Sequence, residues 1–146
     1  MIIAKLFFII FYILNSCFFC NAEEELPLTT DNRIRTHIYN PNEVYLLILN
    51  HGFQSTIEFD NQEQVETISL GDSYAWSITP LGNRIFIRPL EAYVHTNMTI
   101  ITNKRIYYFD IISKEYEEEG SQDITYVMRF FYPKNILKQN DEYSRR

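Results

Sequence analysis

Apolar and polar positions alternate with a period of two through most of the chain after residue 32, the spacing of strands that bury one face. Phe53, Ser55, Ile57 and Phe59 share one side, while Gln54, Thr56 and Glu58 share the other. Residues 33–39 alternate in the same way, and 44–49 form a continuous apolar run that suits a buried strand. Further strands are expected at 65–70, 74–78 (Tyr74, Trp76 and Ile78 on one face) and 84–88. Another is expected at 124–132, with Ile124, Tyr126, Met128, Phe130 and Tyr132 on one face. The most strongly patterned stretch, from Thr96 to Asp110, reads as a β-hairpin. Its two arms flank Asn103-Lys104, and asparagine tolerates the left-handed backbone of a tight turn. The second arm, 106–112, is apolar on both faces apart from Asp110, so it belongs at the centre of a sheet.

Between these runs the chain is punctuated by Asn40-Pro41-Asn42, Asn50-His51-Gly52, Asp60-Asn61-Gln62-Glu63, Gly71-Asp72 and Pro80-Leu81-Gly82-Asn83. Proline presets one backbone angle of a turn, and asparagine and aspartate close bends with their side chains. Short strands with turn signals at this spacing and no helical period predict an all-β fold. The expected form is a single antiparallel β-sandwich of about eight to nine short strands over residues 33–133. Residues 23–32 are polar and expected to be a mobile lead-in. Residues 114–122 read as an acidic loop, and 134–146 as a polar tail with only Ile136 and Leu137 as apolar anchors.

The first 22 residues break the pattern. One early cation, Lys5, precedes an apolar run from Leu6 to Leu14, and Cys20-Asn21-Ala22 leads into Glu23-Glu24-Glu25. This is the pattern of a cleaved secretory signal peptide with the cut between Ala22 and Glu23. The apolar core is short for a transmembrane anchor, which needs ~20 residues. A lipobox-like Leu14-Asn15-Ser16-Cys17 offers acylation of Cys17 as an alternative. Cleavage after Ala22 removes both cysteines, one cation and no acid, and takes the formal charge from −6 to −7. An acidic chain lacks the basic stripe of a nucleic-acid binder. Without thiols it makes no disulfide and no thiolate metal site.

Little else resembles chemistry. His37, His51 and His95 lie on different expected elements and share no metal-ligand spacing. Gly71-Asp72-Ser73 runs into an aromatic strand, whereas a hydrolase nucleophile elbow needs a strand, a turn and a helix. Glu117-Glu118-Glu119 sits in a polar loop, without the enclosing pocket that splits a pair of carboxylate pKa values. Asn97-Met98-Thr99 fits a glycosylation sequon, and packing is the simpler role for it. Arg33, Arg35, Arg84, Arg88 and Arg105 are expected on solvated faces. Aromatic residues are the conspicuous excess. Trp76, Tyr107, Tyr108, Phe109, Tyr126, Phe130 and Tyr132 are candidates for the core or for an interface with a neighbouring subunit, where tyrosine offers both apolar area and a hydrogen bond.

Several blocks, in order, resemble one family. They are Asp31-Asn32-Arg33-Ile34-Arg35, Tyr39-Asn40-Pro41-Asn42-Glu43-Val44, the stretch from Gly52 to Phe59 and the stretch from Glu66 to Trp76. Gly82-Asn83-Arg84-Ile85-Phe86-Ile87-Arg88-Pro89, the hairpin from Thr96 to Asp110, and the stretch from Ile124 to Pro133 complete the set. Together they resemble the TrbG/CagX family, the periplasmic outer-membrane core-complex subunit of VirB-type type IV secretion and conjugation machines. The resemblance implies a structural subunit in a periplasmic ring. There it would pack against full-length copies and against a channel subunit anchored in the inner membrane. It implies no catalytic residues and no cofactor. Family members continue through a linker into a second β-domain that reaches the outer membrane and binds a small lipoprotein. This sequence ends about where that linker would begin, so a truncated copy without the lipoprotein contact is expected. An accessory or regulatory binder of the full-length subunit is the alternative, and an exported β-sandwich hydrolase is the rival from another class.

Overall fold

The computed structural model describes residues 31–117 and 124–133. Within them the chain forms nine strands: β1 (Ile34–Ile38), β2 (Val44–Asn50), β3 (Ser55–Glu58), β4 (Val65–Leu70), β5 (Trp76–Leu81), β6 (Arg84–Pro89), β7 (His95–Thr102), β8 (Ile106–Lys114) and β9 (Val127–Phe131). There is no helix among the described residues. The expected signal peptide with its Ala22–Glu23 junction, residues 23–30, most of the acidic loop and the tail from 134 lie outside the described residues.

The strands make a five-stranded sheet in the order β1-β9-β3-β6-β5 and a four-stranded sheet in the order β2-β8-β7-β4. The all-β, two-sheet layering is as the alternation predicts, but the sheets are mixed rather than antiparallel. β1–β9, β3–β9 and β2–β8 are parallel pairs. The reason lies in the turns. Asn40-Pro41-Asn42 and Asn50-His51-Gly52 do not close hairpins; each passes the chain from one sheet to the other. A chain that leaves a sheet by one such crossing and returns by the next points the same way again, as β1 and β3 do on either side of β9. Of the sequential neighbours, only β5–β6 and β7–β8 are paired.

The first of these hairpins is tighter than expected. Pro80 and Leu81 belong to β5, Leu81 pairs with Arg84, and the turn is Gly82-Asn83 alone. Gly82 has φ +59 at the first turn position, as in type II′ hairpins, which match the twist of the strands. The β7–β8 connection is looser. Asn103 is not left-handed, since Tyr93 is the one non-glycine residue with positive φ among those described. The Asn103 side chain instead accepts from the Gln64 N–H (2.9 Å), while its own N–H donates to the Gln64 carbonyl (3.0 Å). The β3–β4 loop therefore grips the turn from outside.

The core lies between the sheets. Leu47, Leu49, Ile57, Ile85, Ile87, Met98, Ile100, Ile111 and Met128 are buried there. Toward one end the filling turns aromatic, with Tyr45 against Phe130 (4.8 Å between centroids), Phe59 against Tyr107 (4.6 Å) and Tyr107 against Phe130 (4.9 Å). β8 is central, as its apolar pattern demands, between β2 and β7. Gly71 lies where β4 leaves the sheet, and a Cβ there would meet Asn97 Oδ1 at 2.6 Å and Thr96 Oγ1 at 2.8 Å, so any larger residue would displace these two side chains.

Candidate interaction surfaces and a buried carboxylate

The aromatic candidates fall into two groups. Trp76, Tyr107, Phe109 and Phe130 are buried, on inward positions of β5, β8 and β9. Tyr132, just after β9, is partly buried against the core. Tyr108 and Tyr126 are about two-fifths exposed. Tyr108 points outward because its neighbours on β8 point inward. Tyr126 precedes β9 rather than lying in it, so the expected face of Ile124, Tyr126 and Met128 is broken and its ring sits under the Arg33 guanidinium (4.9 Å). Tyr74 likewise leaves the expected Tyr74–Trp76–Ile78 face. β5 begins at Trp76, and Tyr74 stands in solvent.

The alternation gave no sign of the most heavily bonded site. Glu63, in what reads as a polar loop, is 1% exposed. Its carboxylate accepts from Tyr107 OH (2.9 and 3.0 Å), from Thr102 Oγ1 (2.6 Å) and from Arg105 Nη1. Tyr132 OH lies 2.8 Å from Tyr107 OH and accepts the Asp60 N–H (3.1 Å). With the Tyr107 proton given to Glu63, Tyr132 donates to Tyr107. A chain of hydrogen bonds thus runs from the Asp60 backbone to the buried carboxylate. Arg105, expected on a solvated face, is 11% exposed in its side chain, and its guanidinium lies 4.1 Å from the Tyr132 ring centroid. Burial disfavours charge on Arg105, but the Glu63 carboxylate beside it more than restores it and raises its pKa. Burial, with Tyr132 and Glu63 alongside, drives the Tyr107 phenol far above its ordinary pKa. Tyr132 is raised mainly by burial. Both phenols therefore stay protonated and act as donors. The cluster ties the β3–β4 loop, the β7–β8 turn and the end of β9 together.

The outer faces of the sheets differ. On the five-stranded sheet Glu58 accepts from Arg84 (2.9 Å) and Arg129 (3.0 Å), an exposed ladder across β6, β3 and β9. On the four-stranded sheet, the outward positions of β2 and β8 are mostly apolar, with Asp110 among them and Asn50 and Lys114 at the ends. Val44 (63% exposed) lies beside Tyr108, and Leu46 (49%) lies beside Asp110. Ile101 and Ile106 pair across β7 and β8 and are also exposed. One polar contact, His95 Nε2 with Asp110 Oδ1, crosses this face.

The histidines are not brought together. His37 packs edge-on against Tyr45 (5.8 Å), and burial lowers its pKa. His51 lies 3.8 Å from Glu115. No group of three potential ligands gathers among the described residues. Asp72 of the Gly71-Asp72-Ser73 stretch is a turn former that accepts the Tyr74 N–H (2.9 Å).

Residues 32–145 match the model of the CagX family, described as a conjugal transfer protein. The chain belongs to the CagX family. It is similar to a type IV secretion system protein virB9 of Bartonella henselae, 31% identical over 141 positions covering 91% of this chain and 49% of that protein. It is also similar to the type IV secretion system protein PtlF of Bordetella pertussis, 28% identical over 73% of this chain and 46% of that one. A protein virB9 of Agrobacterium tumefaciens is 26% identical over 81% of this chain and 44% of its own length. This CagX chain spans about half the length of these curated relatives. The blocks quoted from the sequence, from Asp31 to Pro133, lie almost wholly inside the matched region.

Proposed function

We propose that this CagX-family chain is a structural subunit of a type IV secretion, conjugation-like channel, and that it joins a periplasmic ring of the core complex without catalysing a reaction. The observation that carries this reading is the family match over residues 32–145. Relatives named as type IV secretion proteins support it. The exposed apolar outer face of the four-stranded sheet fits the same role, since contiguous apolar surface on a soluble domain marks a contact site. On this reading Tyr108 is an interface aromatic of that face, and Tyr126 with Arg33 offers a second contact on the opposite sheet. Ring neighbours meet through two different patches, as two such surfaces would allow. The partners are copies of the full-length family member and the inner-membrane-anchored channel subunit. The domain is 33–133, delivered by a signal peptide cut between Ala22 and Glu23.

Affinity purification of the tagged chain from its native host is the test. Co-purification of other channel subunits in particles of ring size supports the proposal. Recovery of the full-length family member alone makes this chain an accessory binder, and recovery of neither overturns the reading. Mass spectrometry of the exported protein should find Glu23 at its N-terminus, and an acylated Cys17 would replace cleavage by anchoring.

A further inference from the structure

A sheet edge presents unpaired backbone donors and acceptors, and soluble proteins guard such edges with charges, prolines, bulges or short strands. Three of the four edges here are guarded. β1 is five residues long and carries Arg35, β4 has Glu66 and a register shift between Val65 and Thr67, and β5 contains Pro80. β2 has none of these. Its seven residues, Val44–Asn50, contain no charge and no proline. They pair with β8 in unbroken register on one side, and no described strand pairs on the other. Val44 and Leu46 are about half exposed or more, so among the described residues the outer face at that end of β2 is open.

We propose that the β2 edge pairs antiparallel with β2 of a second copy of this chain, about a two-fold axis at Leu47, to make one continuous eight-stranded sheet. Its own sequence argues for this occupant. In that register Leu46 stands opposite Ile48 of the partner subunit, and Val44 opposite the partner's Asn50, which joins the two outer apolar strips side by side. The same register sets Glu43 opposite His51 of the partner subunit at both ends, an exposed acid facing an exposed imidazole. His51 also has Glu115 of its own chain 3.8 Å away, so it would stand between two carboxylates. A slip by two residues in either direction puts Glu43 opposite Leu49 of the partner subunit or Phe53 of the partner subunit, both apolar, so charge and apolar pattern select one register. Such a contact is isologous, whereas ring neighbours use heterologous patches. The pair is therefore a separate mode of association and does not rest on the ring reading. An edge contact of this length falls short of the roughly 800 Å² per partner of a stable complex, so the dimer is weak and populated in the range of about 10–500 µM.

Sedimentation of the purified protein over that range should show a monomer–dimer equilibrium. Leu46→Lys should weaken it roughly tenfold, because by the two-fold symmetry it removes two Leu–Ile cross-strand pairs and sets two cations diagonally across the seam. Glu43→Lys should weaken it, and Glu43→Lys combined with His51→Glu should restore it. The register is read by cysteine pairing in a chain carrying Cys17→Ser and Cys20→Ser. Leu46→Cys protein mixed with Ile48→Cys protein should form the mixed disulfide, because directly opposed strand residues lie within disulfide reach and diagonal ones do not. Monomer at every concentration overturns the proposal. So does equal cross-linking of Leu46→Cys with itself, or a dimer that Leu46→Lys leaves intact.

Discussion

Two glutamates five residues apart do the same chemistry in opposite settings. Glu58 lies on the outer face of the five-stranded sheet between two half-exposed arginines. Glu63 lies inside, with Arg105, Thr102 and Tyr107 on its oxygens. Each joins segments distant in sequence, but solvent competes for only one of them. An exposed pair gains little because water screens it and ordering two side chains costs entropy. A buried pair gains little over an apolar replacement, yet removing one member is severe because the other is left charged and unsolvated. The difference between the two sites is therefore less in what they contribute than in what breaking them does.

The largest effect is expected for Glu63→Ala. It strands Arg105, Thr102 and Tyr107 together, and denaturant unfolding should show a loss of about 3–5 kcal/mol. Next is Tyr107→Phe, which removes one hydrogen bond to a charged group and interrupts the link to Tyr132, for about 1.5–3 kcal/mol. The combined Glu63→Met and Arg105→Leu variant tests the logic directly. It should be less destabilised than Glu63→Ala alone, and a cost as large as the single change would show that the pair itself, not its uncompensated remainder, holds the loops. Smallest is Glu58→Gln, at about 0.5–1 kcal/mol.

Acid titration separates the sites further. Burial raises the Glu58 pKa, but hydrogen bonds and charge from Arg84 and Arg129 outweigh it and leave it below the ordinary 4.5. A carboxyl whose pKa is lowered on folding stabilises the fold above its unfolded value and loses that contribution as pH falls through the lowered one. Thermal melts should thus show the unsubstituted chain ahead of the Glu58→Gln variant at neutral pH, with the advantage fading below about pH 4.5.

What the sequence made legible follows the same division. Period-two alternation located the strands to within a few residues, because burying one face of a strand is a local requirement. Strand direction was not legible. Asn40-Pro41-Asn42 reverses the chain in either case, and only tertiary packing decides whether the next strand joins the same sheet. The Glu63 site was hidden for a related reason. Asp60-Asn61-Gln62-Glu63 has the composition of a solvated loop, and Arg105 sits in a turn. Nothing within either segment reports that Tyr107 and Tyr132 bring the two together. The one local hint was tyrosine rather than phenylalanine at the inward position 107 of a central strand, since a buried hydroxyl requires a partner. Tyr126 and Tyr74 were misplaced because the alternation was extended past the strand ends.

The place of β9 bears on when this molecule can fold. It is the last described strand, yet it lies between β1 and β3 and supplies the whole of the pairing of β1. A chain delivered N-terminus first, from a ribosome or through a membrane pore, cannot complete the five-stranded sheet until residue 131 has emerged. Such non-local pairing slows folding. For a chain exported as proposed above, closure of this sheet would wait until residue 131 had crossed the membrane. Truncation before β9 should leave β1 without a place in the structure.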